Sequence, residues 1–130
     1  MISNVFNHVN LYGKVADAAW MRNEVITNNM ANIDTPNFKR REVSFEQELM
    51  SALVDAEGDT LKKKIQGIDI DTLNPKTYKK YENLSYRLDG NNVDIDTESN
   101  SLAQNQMKYY GLTQTIGRKF NGLSMVINGK

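Results

Sequence analysis

The feature that most constrains this chain is a heptad pattern of apolar residues in its first third. Sustained steps of four and three predict a helix that buries a narrow apolar stripe against another helix. Asn23 is the one polar member of this pattern, and small side chains at Ala16 and Ala19 would let a partner backbone approach closely. The apolar members fill eight of nine positions, and we call them the N-terminal seam: Val5, Val9, Tyr12, Ala16, Ala19, Ile26, Met30 and Ile33.

The last third of the chain carries a second stripe of the same kind. Asp96 or Thr97 is predicted to cap a helix here. Glu98 would place negative charge in its first turn, and Gly129 would end it. The apolar members follow at steps of seven, three, four, four, three and four, and we call them the C-terminal seam: Leu102, Tyr109, Leu112, Ile116, Phe120, Leu123 and Ile127.

Two seams of similar length are natural partners for each other. The predicted fold is therefore mainly α, with long helices at residues 1–33 and 96–130 paired in a coiled-coil-like hairpin. Residues 34–95 would form a small irregular middle segment that contains a turn, a short helix and candidate short strands. At 130 residues the three segments are expected to make one domain.

The middle segment begins with a turn signal at residues 34–37, because Pro36 pushes the preceding residue out of the helical region and Asn37 tolerates a positive φ. Residues 44–47 have the pattern of a capping box that opens a short helix. This helix would carry Phe45 and Leu49, with Leu53, on one face.

Two short strands are also predicted in the middle segment. At residues 68–71 two isoleucines alternate with two aspartates, which is compatible with a strand. Residues 84–88 are the second candidate, and they lead into a turn at residues 89–92. We expect this segment to be small and rich in loops.

Composition excludes several classes of protein. The 16 basic and 16 acidic residues cancel, and each half of the chain is nearly balanced, which argues against nucleic acid binding and against polybasic attachment to membranes. There is no cysteine for a disulfide or a thiolate site. No run approaches the roughly 20 apolar residues of a membrane span, and the N-terminus lacks the pattern of a cleaved signal peptide.

A search for chemistry gives no catalytic residue, no metal site and no cofactor. The densest acidic cluster is Asp89, Asp94, Asp96 and Glu98, but its spacing fails the pattern of a calcium-binding loop, so a turn followed by capping carboxylates is the preferred interpretation. His8 has no neighbouring ligand residues and is interpreted as a surface residue. The basic runs at residues 39–41 and 62–64 are predicted to be solvated loops, because acidic residues lie near each.

Residues 28–38, Asn-Asn-Met-Ala-Asn-Ile-Asp-Thr-Pro-Asn-Phe, resemble the signature of the flagellar rod and hook axial protein family. In that signature, written N-N-x-A-N-x-x-T-x-G-[FY], Asn37 replaces the usual glycine, and Asn is the residue best able to do so in a left-handed turn. Residues 41–49 and 88–109 resemble the FlgB branch of the family. The residues that match the signature are Asn29, Ala31, Asn32, Thr35, Pro36 and Phe38.

The resemblance implies a structural subunit of the proximal rod, the drive shaft of the bacterial flagellum, which crosses the periplasm. It implies export through the flagellar type III apparatus without signal cleavage, and helical assembly that transmits torque. The implied partners are further copies, FlgC and other rod proteins, the basal adaptor FliE and the export apparatus. Both seams would then be assembly surfaces, since a heterologous interface that does not close produces a filament.

Two alternatives remain at the level of sequence. The chain resembles FlgC-type axial proteins less closely, but it shares their short length and terminal helices. A cytoplasmic coiled-coil adaptor or chaperone would also carry heptad seams. An enzyme or metal protein would require tight metal binding in the acidic cluster.

Overall fold

The computed structural model describes residues 2–81 and 87–129, with the side chains of residues 2–5 left out. The elements are helix α1 (Ile2–Ala31), strand β1 (Arg41–Ser44), helix α2 (Glu46–Asp55), helix α3 (Leu61–Gly67), a 3-10 turn (Ile70–Thr72), strand β2 (Lys76–Lys79) and helix α4 (Ile95–Asn128). Helices α1 and α4 dominate the chain, so the predicted mainly α fold is confirmed.

Helices α1 and α4 pack against each other in antiparallel orientation. The end of α1 lies beside the start of α4, where Asn29 contacts Glu98. Farther along, the rings of Trp20 and Tyr109 lie 6.1 Å apart between centroids. The hairpin follows from the two seams, because each helix presents an apolar stripe that needs a partner.

Helix α4 begins slightly earlier than predicted. The cap is Asp94, whose carboxylate accepts a hydrogen bond from the backbone N–H of Asp96, and the prediction of Asp96 or Thr97 is wrong. Several acidic and hydroxyl side chains stand in a row here, so residue type alone does not choose among them. Gly129 ends the helix in the left-handed conformation, with φ of 64°, as predicted.

The middle segment contains a two-stranded antiparallel sheet that the sequence did not indicate. Strand β1 pairs with β2, and Arg41 lies opposite Lys79 while Ser44 lies opposite Lys76. Neither strand shows clear apolar alternation, and every residue of β2 is exposed. The sequence therefore contains no hydrophobic alternation that would predict these two strands.

Both strands predicted in the middle segment need correction. Residues 68–71 run into the 3-10 turn, where Ile68 and Ile70 are buried and the two aspartates are exposed. The alternation of isoleucine and aspartate therefore belongs to this turn and not to a strand. Of the second candidate, residues 84–86 lie outside the described part of the chain, and residues 87–88 lie in a bend and a turn. The capping box at residues 44–47 is also absent: Ser44 ends β1, and Phe45 stands at the cap of α2 without a side-chain hydrogen bond.

The core of the domain lies between the middle segment and a second face of α1. Phe45 is only 1% exposed and packs in one cluster with Ala18, Ile68 and Leu73. Leu49 and Leu53 pack against this cluster together with Leu11 and Val15 of α1. Helix α1 therefore has two apolar faces, one for α4 and one for the middle segment, and the predicted face of α2 is used as expected.

Candidate functional site

The two sequence motifs that carry the family resemblance come together where α1 ends and α4 begins. We call this region the junction; it comprises residues 28–42 and 87–98. Asn29, which is fully buried, links three segments at this point. Its side-chain amide donates to the Arg41 carbonyl at 2.9 Å and its oxygen accepts from the Arg41 N–H at 2.9 Å. It also donates to Glu98 Oε2 at 3.2 Å, so one amide joins α1, β1 and α4.

Asn91 forms a similar set of hydrogen bonds with the turn that follows α1. Its side-chain amide donates to the carbonyl oxygens of Asn32, Ile33 and Thr35, each at 2.9 Å. Its side-chain oxygen accepts from the N–H of Val93 at 2.8 Å. Carbonyls beyond a helix end have no helical partner, and burying them without one is costly. Asn91 supplies those partners from a segment more than 50 residues away.

The turn at residues 34–37 fits against the turn at residues 89–92. Asn37 adopts a φ of 59°, which confirms that it replaces glycine in a left-handed conformation. Its N–H donates to the Asp89 carbonyl at 2.8 Å. Gly90 has a φ of 74°, and a Cβ there would lie 2.7 Å from Asn37 Oδ1. A side chain at residue 90 would therefore be strained and would collide with the other turn.

The basic run at residues 39–41 belongs to the junction, and the prediction of a solvated loop is wrong for it. Lys39 donates to the Gly90 carbonyl. Arg40 is only 15% exposed, and its Nε lies 2.8 Å from Glu98 Oε1, while Nη1 lies 2.9 Å from Glu42 Oε1. Of the acidic residues that follow this run, Glu42 is a partner in the partly buried ion network, whereas Glu46 pairs with Arg22. The prediction of a loop is also wrong for the other run, which lies in helix α3. Lys62 and Lys63 are exposed there, whereas Lys64 is half-buried and donates to the Leu53 carbonyl at 3.0 Å.

Glu98 differs most from its predicted role. We expected a carboxylate in the solvated first turn of α4, but its side chain is 0% exposed. Glu98 Oε1 and Arg40 Nε have no aligned hydrogen-bond partner in residues 2–81 and 87–129, so they meet as charges rather than through a well-directed hydrogen bond. A buried carboxylate is tolerated only when it is paired, and Arg40 and Asn29 provide the pairing.

Glu42 joins this network from the surface side. Burial opposes its ionisation and is the largest single influence on it. The hydrogen bond from Tyr78, at 2.7 Å, and the charges of Arg40 and Lys80 together outweigh burial, so the pKa of Glu42 lies below its ordinary value. The same hydrogen bond raises the pKa of Tyr78.

The pKa values of two aspartates of the junction, Asp89 and Asp94, are lowered like that of Glu42. The hydrogen bond that Asp89 accepts from the Asn91 N–H is the main cause of its lowered pKa. The hydrogen bond from the Thr97 hydroxyl is the main cause of the lowered pKa of Asp94. All three carboxylates are therefore held in their ionised form by the folded junction.

We expect the stability of the chain to fall with acidity below about pH 4.5, the ordinary pKa of a glutamate. Carboxylates with lowered folded pKa values stabilise the fold above their unfolded pKa, and this contribution is lost as pH falls through the folded value. Urea unfolding at pH 7, 5 and 3.5 measures it. Glu42→Gln should flatten the loss, whereas Glu57→Gln, at an exposed site, should leave it unchanged. Equal slopes in both variants would contradict the assignment.

The residues of the family signature have unequal roles in the structure. Asn29 is buried as described, and Asn32 donates to the Asn28 carbonyl at 2.8 Å. Thr35 donates to Asn32 Oδ1 at 3.2 Å, which closes the turn. Phe38 is half-buried, and the two remaining signature residues, Ala31 and Pro36, are exposed.

The seam residues divide along the length of the hairpin. Ala19 and Ile26 are buried, and the side chain of Val5 lies outside the described part. Toward the open end of the hairpin, Phe120 is 52% exposed and Ile127 is 81% exposed. The other predicted assembly residues are half-buried: Val9, Tyr12, Ala16, Met30, Ile33, Leu102, Tyr109, Leu112, Ile116 and Leu123.

The acidic cluster at residues 89–98 and His8 were the candidates for a metal site. No group of three or more His, Asp or Glu side chains is placed to hold a metal ion within residues 2–81 and 87–129. Asp94 caps α4, while Asp89 pairs with Arg87 at 2.8 Å, and His8 lies half-buried on α1. None of the helices in the described ranges is long and apolar enough to cross a membrane.

Sequence reasoning missed the polar residues that hold the junction together. Arg40, Asn91, Glu98 and Asn105 were not singled out as contact residues. The role of Asn91 could have been inferred from sequence, because an asparagine-rich turn offers side-chain amides to backbone carbonyls that lack a helical partner. No comparable signal identified Glu98 as buried, since a glutamate in the first turn of a helix is ordinarily solvated.

Comparison with known proteins gives consistent results. The family model described as flagella basal body rod protein matches residues 19–39, from the middle of α1 into the junction. Flagellar basal body rod protein FlgB of Bacillus subtilis (strain 168) is 40% identical over 113 residues, which cover 84% of each chain. FlgB of Borrelia hermsii is 38% identical, with 95% of this chain and 98% of the relative covered. FlgB of Salmonella typhimurium (strain LT2) is 32% identical, with 83% of each chain covered.

Proposed function

The chain belongs to the FlgB family of flagellar basal body rod proteins, and from this premise we propose that it is a structural subunit of the proximal rod. Family membership implies assembly with other rod proteins in the basal body. The finer proposals are that the subunits stack helically, transmit torque and have no enzymatic activity. We also propose that the rod subunit lies in the periplasmic space.

The observation that carries this proposal is the apolar surface at the open end of the hairpin. The last two turns of α4 present Met125, Val126 and Ile127 at 62%, 82% and 81% exposure. On α1 at the same end, Phe6 is 44% exposed. Exposed apolar side chains gathered at one end of the hairpin mark a site that a partner covers. In a rod the partners are neighbouring subunits, which would bury this surface on every copy.

The junction supports the proposal from the other end of the molecule. Its buried amides and ions fix the angle at which α1 leaves the middle segment and α4 returns. A subunit that transmits torque needs such a rigid connection between its helices and its outer part. Asn29 joins α1 to β1 and α4, and Asn91 joins the turn after α1 to the turn before α4. The signature residue Asn29 therefore belongs to a structural joint rather than to a binding pocket.

We further propose the partners and the route by which the chain reaches them. The neighbours would be copies of this chain, FlgC and other rod proteins, and the adaptor FliE at the base. The route would be the flagellar type III export apparatus, without cleavage of a signal peptide. The three relatives described above match across most of the chain and are FlgB proteins, which favours this identity over a FlgC-type subunit.

A reporter fusion tests the export proposal. Residues 1–60 fused to a reporter enzyme should leave the cytoplasm in a flagellated host and remain inside a strain that lacks the flagellar export apparatus. A matched fusion of residues 70–130 is the control and should remain inside both strains. If the 1–60 fusion is retained by both hosts, the export proposal fails and the cytoplasmic adaptor becomes the better interpretation.

A further inference from the structure

The contact between α4 and α1 contains an unexpected kind of buried residue. In the part of α4 that the structure describes, two residues are fully buried, and both are polar: Glu98 and Asn105. They lie seven residues apart, which places them on the same face of the helix. Every apolar member of the C-terminal seam is at least partly exposed. On the α4 side of the contact, the most deeply buried side chains are therefore polar, and the apolar seam residues beside them are only half-buried.

Asn105 makes its contacts with the one polar member of the heptad pattern on α1. Its side-chain nitrogen donates to Asn23 Oδ1 at 2.8 Å and to the Ala19 carbonyl at 2.7 Å. Its side-chain oxygen is buried and accepts no hydrogen bond from the described residues. Asn105 is thus placed at the cost of an unsatisfied acceptor, which a leucine at the same site would avoid.

We propose that the Asn23–Asn105 pair selects the alignment of α1 with α4 along the hairpin, beyond the junction. In the observed alignment each asparagine faces the other. If α4 slips by one heptad against α1, Asn105 faces apolar seam residues in place of Asn23, and its amide loses its side-chain acceptor. A single polar position in an apolar seam is known to select alignment in this way, at a cost in stability.

A polar pair that selects one alignment is needed because the apolar residues of the two seams would allow several alignments. Both seams follow steps of four and three, so several alignments bury similar apolar area. If the chain assembles as proposed above, many identical seams come close together in the rod, and wrong pairings between copies compete with the right one. The importance for assembly rests on that proposed function, whereas the alignment itself is a property of the isolated chain.

Engineered disulfides in the full chain test the proposal, because the protein has no cysteine of its own. Trp20→Cys with Tyr109→Cys reports the observed alignment, since these rings are neighbours. Trp20→Cys with Ile116→Cys reports a slip of one heptad. Each pair is oxidised in a glutathione buffer, and intramolecular and intermolecular disulfides are quantified by mass spectrometry of digested protein.

In the parent background we expect the aligned disulfide to exceed the slipped and intermolecular ones by about tenfold or more. In Asn23→Leu/Asn105→Leu this ratio should fall by about threefold or more while the aligned disulfide still leads, because the contacts of Glu98 with Asn29 and Arg40 also favour the observed alignment. The helix pair should become no less stable to heat. The control is Asn28→Leu/Asn100→Leu, which adds the same apolar groups at exposed sites on the same helices and should keep the parent ratio.

Asn105→Ala provides a second variant in case the double leucine variant aggregates. It removes the amide without adding bulk, and it should also lower the ratio. Unchanged alignment in Asn105→Ala and in the leucine variant would overturn the proposal. So would a parent chain that forms the aligned and slipped disulfides equally. Because the assay uses isolated protein, neither result depends on whether the chain is incorporated into a rod.

Discussion

Glu98→Ala is expected to lower the free energy of unfolding by about 3–5 kcal/mol, the usual effect of removing one partner from a buried ion pair. Glu98 is 0% exposed and Arg40 is 15% exposed, so truncating the carboxylate leaves the guanidinium charge largely buried. Asn29 also loses an acceptor at 3.2 Å. Such a loss is a large share of the roughly 5–15 kcal/mol that stabilises an ordinary domain.

Urea unfolding followed by circular dichroism measures this effect. Asp96→Ala is the matched control: it removes a carboxylate two residues away, at an exposed site in the same turn, and should change stability by less than about 0.5 kcal/mol. The double variant Arg40→Met/Glu98→Leu should recover much of the loss, because it removes both charges together. A loss below about 1 kcal/mol in Glu98→Ala would mean that the pair is not the anchor of the junction.

Phe120→Asp is expected to abolish swimming while leaving the isolated chain folded. The phenylalanine is 52% exposed in the single subunit, so the free chain loses little when it is replaced. In the rod, by contrast, a neighbouring subunit would cover it, and a buried unpaired carboxylate costs several kcal/mol per copy. Because every subunit carries the change, the cost is repeated at each step of assembly.

The comparison with Ile26→Asp separates assembly from folding. Ile26 is only 5% exposed within the subunit, so its replacement should unfold the hairpin and abolish swimming for that different reason. Asn121→Asp is the control for Phe120→Asp, since it adds the same charge at the next, exposed position and should swim normally. Swimming assays in a strain that lacks its own copy, with circular dichroism of each purified variant, give the result. Normal swimming of Phe120→Asp would contradict the proposed assembly surface.

The helical frame of this chain could be predicted because it depends on a repeated signal. Eight positions of the N-terminal seam reinforce one another, and the error in any one is averaged out. The left-handed turn at Asn37 was also predictable, since few residue types tolerate a positive φ. Gly129 was predicted as the end of α4 for the same reason. These features are decided by the local chain or by a long periodic pattern.

The parts that failed depend on single contacts between distant segments. Glu98 is buried only because Arg40, which is 58 residues earlier, is brought beside it. Likewise, β2 exists because β1 pairs with it, and its own residues carry no strand pattern. A second heptad face of α1, through Leu11, Val15 and Ala18, was present in the sequence but was masked by the stronger seam.

The structure also indicates which part of the free subunit is ordered. If only neighbouring subunits covered the seams, both terminal helices in full would order only on assembly. The junction and the hydrogen bonds of Asn105 hold α1 and α4 together at one end of the hairpin. From Leu112 onward, by contrast, no described residue of α4 is fully buried. Partner burial should therefore be required mainly for the open end of the hairpin.

Amide hydrogen exchange of the free chain and of the assembled rod tests this account most directly. We expect residues 112–128 to exchange rapidly in dilute free protein and to become strongly protected in purified rods. Residues 18–30 and 95–105 should be protected in both states, because the subunit itself buries their contacts. Equal protection of residues 112–128 in the two states would contradict the claim that neighbouring subunits cover the open end of the hairpin.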